Sequence, residues 1–256
     1  MRISREANVF IAKKYLIDSI YRSAKLEGIA VTFPQTEAIY HGGTVEGLKV
    51  DEIVTINNLK HAWSFILDNL DYPLDYPYIC KINNIIGSNL FQNPGFLRKG
   101  EVFIGGIDPK TWKPKIPIED EYKDKINELR IIENPVDRAI EIMLHSMRYQ
   151  PFWDGNKRTA MLAANQILIS EGYGVLTIAE SQQTTFKEKV VDYYITNNKE
   201  ELKQFLLDNA IECPQIEESR SLEELPQMDI QKAKESLLKK SQMVSNNKEY
   251  ERYKTN

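Results

Sequence analysis

The stretch from Asn134 to Gly172 constrains this chain more than any other. Val136, Ile140, Met143 and Met147 recur at helical spacing behind Asn134-Pro135, a helix start with proline suited to the first turn. A second apolar helix is read in "KRTAMLAANQILISEG". There Ala160, Ala163 and Ala164 permit close packing, and Gly172 suits the C-terminal cap. The loop between them, "QPFWDGN", therefore ends at the N-terminus of a buried helix. Unpaired N–H groups and the helix dipole make such a place an anion site.

The rest of the chain also reads as mainly α. Phe10, Ile17, Tyr21 and Ala24 keep helical spacing, and a short helix is expected around Thr36 to Tyr40. Asp51 is expected to cap a helix with Ile53, Ile56, Trp63, Ile66 and Leu70 on one face, and Ile79, Ile82, Ile86 and Leu90 mark another. A charged helix fits 119–132, and two more fit 180–194 and 198–209. "NPGFLRKGEVFIGG" differs: a Pro-Gly turn, a short β-prone run from Glu101 to Ile104, then Gly105-Gly106, which together predict a small β-hairpin. The expected organisation is an N-terminal helix and linker at 1–35, a helical domain at 36–213 and a charged tail at 214–256, helix (around 228–242) plus disorder.

A hydrophobic content of 42% supports a sizeable core, and a net charge of -4 argues against a nucleic-acid surface. No apolar run approaches the roughly 18 residues of a membrane span. The first residues lack a secretion signal, and Cys80 and Cys213 read as reduced thiols. A cytoplasmic protein is expected, with no membrane or nucleic-acid partner. The oligomeric state is left open.

The loop carries the chemistry. Gly155 lets the backbone approach a phosphate, and Asn156 tolerates an unusual turn conformation and hydrogen-bonds across it. Lys157 and Arg158 add charge, Arg158 with a bidentate fork. Asp154 beside a phosphate is a natural Mg²⁺ ligand. Of Phe152 and Trp153, one anchors the loop in the core while the other faces the surface.

"QPFWDGNKRTA" resembles the signature of the Fic/Doc family, H-x-F-x-[D/E]-G-N-[G/K]-R, with supporting features over roughly 36–209. The resemblance implies a helical bundle with a small hairpin flap that docks a target protein, here Glu101, Val102, Phe103 and Ile104. It implies transfer of AMP from ATP to a target hydroxyl, with Mg²⁺ on Asp154, phosphates on Gly155, Asn156, Lys157 and Arg158, and Phe152 seating the loop. The catalytic positions are Arg158 and Gln150.

Gln150 is the departure. It stands where the family has its general base, a group worth typically ~10²–10⁴-fold. An amide cannot accept a proton near neutral pH. His145 lies five positions back, about 7.5 Å along the axis and about 140° off that face, so a packing role is expected for it. The family's second Arg falls on Met161. Its inhibitory Glu, of form [S/T]-x-x-x-E-[G/N], is sought in "TEAIYHG" and falls on Tyr40, with Glu46 an alternative that lacks the Ser/Thr. "SRSLE" and "SNNKE" in the tail fit only in part. Arg and acid are thus expected to be missing together. Lys157 and Met161 resemble the Doc branch, which transfers the terminal phosphate. A phosphotransferase is therefore one alternative, and a nucleotide-binding pseudoenzyme or helical interaction module the other.

Overall fold

The computed structural model describes residues 2–213. The expected tail helix around 228–242 lies outside them. Ten α-helices and one two-stranded sheet make up the described part: α1 (Arg5–Lys14), α2 (Leu16–Leu26), α3 (Phe33–Tyr40), α4 (Val50–Asp68), α5 (Tyr76–Gly87), α6 (Glu119–Arg130), α7 (Pro135–Tyr149), α8 (Asn156–Glu171), β1 (Val175–Leu176), α9 (Gln183–Thr196), α10 (Glu200–Asn209) and β2 (Ile211–Glu212). β1 and β2 pair antiparallel, Val175 opposite Glu212 and Leu176 opposite Ile211.

The core is built around α8. Every residue from Arg158 to Ile169 is buried, so this helix has no solvent face along most of its length. Ala160, Ala163 and Ala164 are completely buried, and α7 lies against α8 with Ile140, Met143 and Met147 fully covered. Gly172 ends the helix at φ +80 and donates to Ile169 O. Asn134 caps α7 by accepting from Val136 N and Asp137 N. α5 brings Ile79, Ile82 and Ile86 to the same core; Leu90 falls beyond its end and is only half-buried.

The N-terminal segment is two helices rather than one helix and a linker. Tyr15 breaks the run, and this shifts the buried face to Ile11, Ala12, Leu16, Ile20 and Ala24, leaving Phe10 exposed. Asn8, fully buried, donates to Leu168 O, Ile169 O and Gly174 O, which fastens α1 to the exit of α8. Asp51 is not the cap of α4. That helix starts one residue earlier at Val50, Glu52 accepts from Lys49 N, and Asp51 sits in the first turn, where the helix dipole favours an acid.

The expected hairpin is not formed. Glu101 to Ile104 runs beside the loop without strand pairing, and the chain turns at Gly105-Gly106. The returning arm explains this. Pro109, Pro114 and Pro117 carry no N–H, so it cannot supply a continuous ladder. Side chains close the flap instead: Lys113 pairs with Glu101 at 2.6 Å, and Trp112 stacks on Tyr194 of α9 with centroids 5.2 Å apart.

Candidate functional site

α7 ends at Tyr149, and the next residue leaves the helix in the left-handed region. Gln150 has φ 51 and ψ 58, a position where a side chain other than glycine is strained unless its surroundings hold it. They do. Its Nε2 donates to Met147 O at 2.6 Å and to Tyr194 Oη at 3.2 Å, and its Oε1 accepts from Asn156 Nδ2 at 2.9 Å. Phe152 is the core anchor, 1% exposed, whereas Trp153 is 41% exposed and packs over Gly100. Asn156 staples the loop: Oδ1 accepts from Phe152 N, and Nδ2 donates to Phe152 O as well as to Gln150. The unusual backbone belongs to Gln150 and to Gly155 (φ +72), while Asn156 is already helical. Because its side chain is committed to the loop, only its backbone N–H is left to donate to an anion.

Gly155 is the N-cap of α8, so the first N–H groups of that helix lack intrahelical acceptors. Below it, Asn83 of α5 donates to Asp154 O and Thr159 Oγ1 and accepts from Gly95 N. This buried amide, which sequence reasoning missed, ties the loop floor to the start of the flap.

The cleft above these groups measures about 510 Å³. Val102, Phe103, Ile104 and Gly105 of the flap form one wall, and Phe186, Lys187, Val190, Val191 and Tyr194 of α9 another; Gln150 and the run from Trp153 to Arg158 form the floor. All the candidate residues except Glu101 therefore line one space. Asp154 Oδ1 accepts from Gly155 N and lies 3.5 Å from Arg158 Nη2; the side chain is otherwise exposed, which leaves Oδ2 for an ion. Among the described residues no cluster of three or more acidic, His or Cys groups could hold a metal alone. A single carboxylate beside cations suits an ion that takes its other ligands from phosphates and water.

The acid expected to be missing is present. Glu27, from the end of α2, lies in the cleft with Oε1 3.1 Å from Lys157 Nζ and Oε2 3.2 Å from Arg158 Nε. Burial alone would raise its pKa, but Lys157 and Arg158 outweigh that and hold the carboxyl below its ordinary value. The signal was in the sequence: Ser23-Ala24-Lys25-Leu26-Glu27-Gly28 has the S-x-x-x-E-G spacing sought around Tyr40 and in the tail. Tyr40 instead packs against Lys60, whose ammonium lies 4.8 Å from its ring. Met161, the position at which the resemblance leads one to expect a second Arg, is buried one turn along α8, and Glu27 meets Arg158 and Lys157 instead.

His145 does not reach the cleft. Its ring packs against both Tyr122 and Tyr149, which also stack on each other with centroids 5.2 Å apart, and burial lowers its pKa to about 4. Tyr194, beside Gln150, is held protonated because burial raises its pKa further than the Gln150 hydrogen bond lowers it. At neutral pH the cleft thus holds cations, two carboxylates and neutral donors, and no imidazole.

A family model, Fic/DOC family, matches residues 73–168, which span the loop and most of α5 to α8. The protein adenylyltransferase Fic of Aedes aegypti is 26% identical over 200 residues, covering 76% of this chain and 39% of that protein. The Drosophila willistoni protein of the same name is 26% identical over 179 residues, covering 68% and 36%. The chain therefore spans under two fifths of the length of these relatives. Among solved structures, a Fic domain containing signaling protein from Bacteroides thetaiotaomicron VPI-5482 superposes with a TM-score of 0.63 at 19% identity, covering 77% of this chain and 81% of that one. Fic-1 (aa134 - 508) from C. elegans gives 0.65 at 20% identity, covering 81% and 62%. Both show a shared fold.

Proposed function

We propose, from the match of residues 73–168 to the Fic/DOC family model, that this chain is a Fic-type protein and binds a nucleoside triphosphate, ATP with Mg²⁺, in the cleft over α8. The relatives named adenylyltransferases make AMP transfer to a target-protein hydroxyl the reaction type, with the target docking on the flap. The phosphates meet the first N–H groups of α8, Lys157 and Arg158, and Asp154 holds Mg²⁺, which would draw charge from the phosphates. These groups supply positioning and electrostatic stabilisation, the larger share of most transfer reactions.

Transfer is weak or absent in the natural protein. One observation carries this reading: both ends of the Gln150 amide are engaged within the loop and by Tyr194. An amide locked in this way organises the loop and accepts no proton. The same observation favours nucleotide binding without turnover over phosphotransfer as the second reading.

The test combines calorimetric titration with MgATP and incubation of native and Gln150→His proteins with labelled ATP and cell lysate. Binding by both, with label transferred chiefly by the variant, is the expected result. Absence of MgATP binding to either protein would remove the proposal, and rapid transfer by the native protein would remove the inactive part of it.

A further inference from the structure

Arg98 is 1% exposed and, among the described residues, has no carboxylate within ion-pair distance. A buried cation without an acid partner is costly to keep. Its guanidinium is surrounded by carbonyls from three segments. Nε donates to Gln150 O at 2.7 Å, Nη1 to Gly100 O at 2.6 Å and Nη2 to Lys115 O at 2.5 Å, while its backbone N donates to Pro151 O at 3.0 Å. Gly100 opens the outgoing arm of the flap, and Lys115 lies on the returning arm. Gln150 is the strained residue on the floor of the cleft. One side chain thus joins both arms to the loop at the point where a backbone ladder is missing.

We propose that Arg98 is the positioning residue of this site: its fork replaces the ladder of a hairpin and mechanically couples the flap's returning arm to the loop at Gln150. The proposal rests on the nucleotide-cleft reading for its functional meaning. A ligand over α8 stiffens the 150–156 loop, Arg98 passes that restraint to Lys115 O, and the flap is steadied for an incoming target. Lysine cannot do this. It is a compact point donor and cannot reach three divergent carbonyls in one plane. The alternative is that Arg98 is only a core group, in which case its loss loosens the whole molecule evenly.

Hydrogen exchange read by mass spectrometry separates the two, on native, Arg98→Lys and Arg98→Met proteins with and without MgATP. The informative peptide is 107–116, no residue of which lines the cleft, so direct contact with nucleotide cannot account for its protection. Without nucleotide, this arm should exchange at least about tenfold faster in Arg98→Lys, the equivalent of one charge-assisted hydrogen bond, while peptides of α8 stay unchanged. With MgATP, the arm should slow in the native protein and not in Arg98→Lys, even though that variant binds MgATP within about threefold of native, since the anion cradle is intact. Unchanged exchange in both variants, nucleotide-induced slowing that survives in Arg98→Lys, equal loosening of α8 and the arm, or loss of fold in both variants would each overturn the proposal. If native protein binds no MgATP, the nucleotide reading falls by itself, and the nucleotide-free comparison still decides the clamp.

Discussion

At the scale of single residues, two side chains decide what the cleft does. Gln150 sits at φ 51, a conformation that His tolerates better than most side chains, so Gln150→His should fold and place an imidazole against Tyr194 and Asn156. Labelled-AMP transfer should then rise by about 10²-fold if the rest of the cradle is competent. A general base must be neutral to act, so the variant's rate should climb with pH through about 6.5 or lower, because burial disfavours the charged ring. A pH-rate profile without that step in the variant would show that position 150 is not the base. Glu27 is the second. It occupies the cations that a phosphate needs, yet its Oε1 and the Arg158 Nε make no aligned hydrogen bond. On the proposed nucleotide-binding reading it is a counter-charge that a bound phosphate would displace. Glu27→Gln should tighten MgATP binding by about tenfold or more and lower stability by about 1–3 kcal/mol, since Arg158 is left buried with less compensation. Calorimetry and thermal melts check the two signs, and a variant that binds more weakly would show that Glu27 helps to hold the ligand. The loop was legible because its groups are contiguous. Glu27 was not, because only the packing of α2 against the α8 N-terminus brings it to residues so distant in the chain.

At the scale of elements, legibility followed periodicity. α4, α5, α7 and α8 announce themselves by long apolar stripes and recognisable starts and ends. The flap does not, since a β-prone run of four residues says nothing about whether its partner arm can donate; the prolines of the returning arm decide that. Arg98 was equally hidden, because a lone arginine in a loop ordinarily faces solvent. The junction of loop and α8 is where element geometry is tightest. Gly155 adopts φ +72, and a Cβ there would lie 3.1 Å from Ile86 Cγ2 and 3.3 Å from Asn83 Nδ2. Gly155→Ala should therefore cost about 1–2 kcal/mol from the left-handed backbone alone. It should also displace Asn83, which loosens both the loop floor and its bond to Gly95. Chemical denaturation gives the first effect, and MgATP titration of the folded variant should show weakened binding. Unchanged affinity would mean that the cradle is set by the side chains of Lys157 and Arg158 rather than by close backbone approach.

At the scale of the whole molecule, stability and site chemistry respond to acid through different groups. His145, packed against Tyr122 and Tyr149 at the α6–α7 contact, is kept neutral mainly by burial, with Lys125 adding to the effect, and its pKa falls to about 4. In the unfolded chain it titrates near 6.5. Between those values the unfolded state binds a proton that the folded state does not, so stability rises with pH from about 4 to about 6.5 and is level above. The whole step, a difference of about 2.5 in pKa at about 1.36 kcal/mol per unit, is on the order of 3 kcal/mol. Glu27 adds to acid sensitivity lower down: its depressed pKa contributes stability above the unfolded carboxyl value and loses it as pH falls through the folded one. The upper step is separable by mutation. His145→Phe keeps an aromatic ring against the two tyrosines and removes the proton site. The variant's melting temperature should be flat between pH 5 and 6.5, where the native protein's falls by several degrees. Because His145 lies outside the cleft, MgATP affinity at pH 7 should not change. If the native protein's melting temperature does not fall over that range, the His145 ring is solvated in solution and the α6–α7 contact opens more readily than its packing implies.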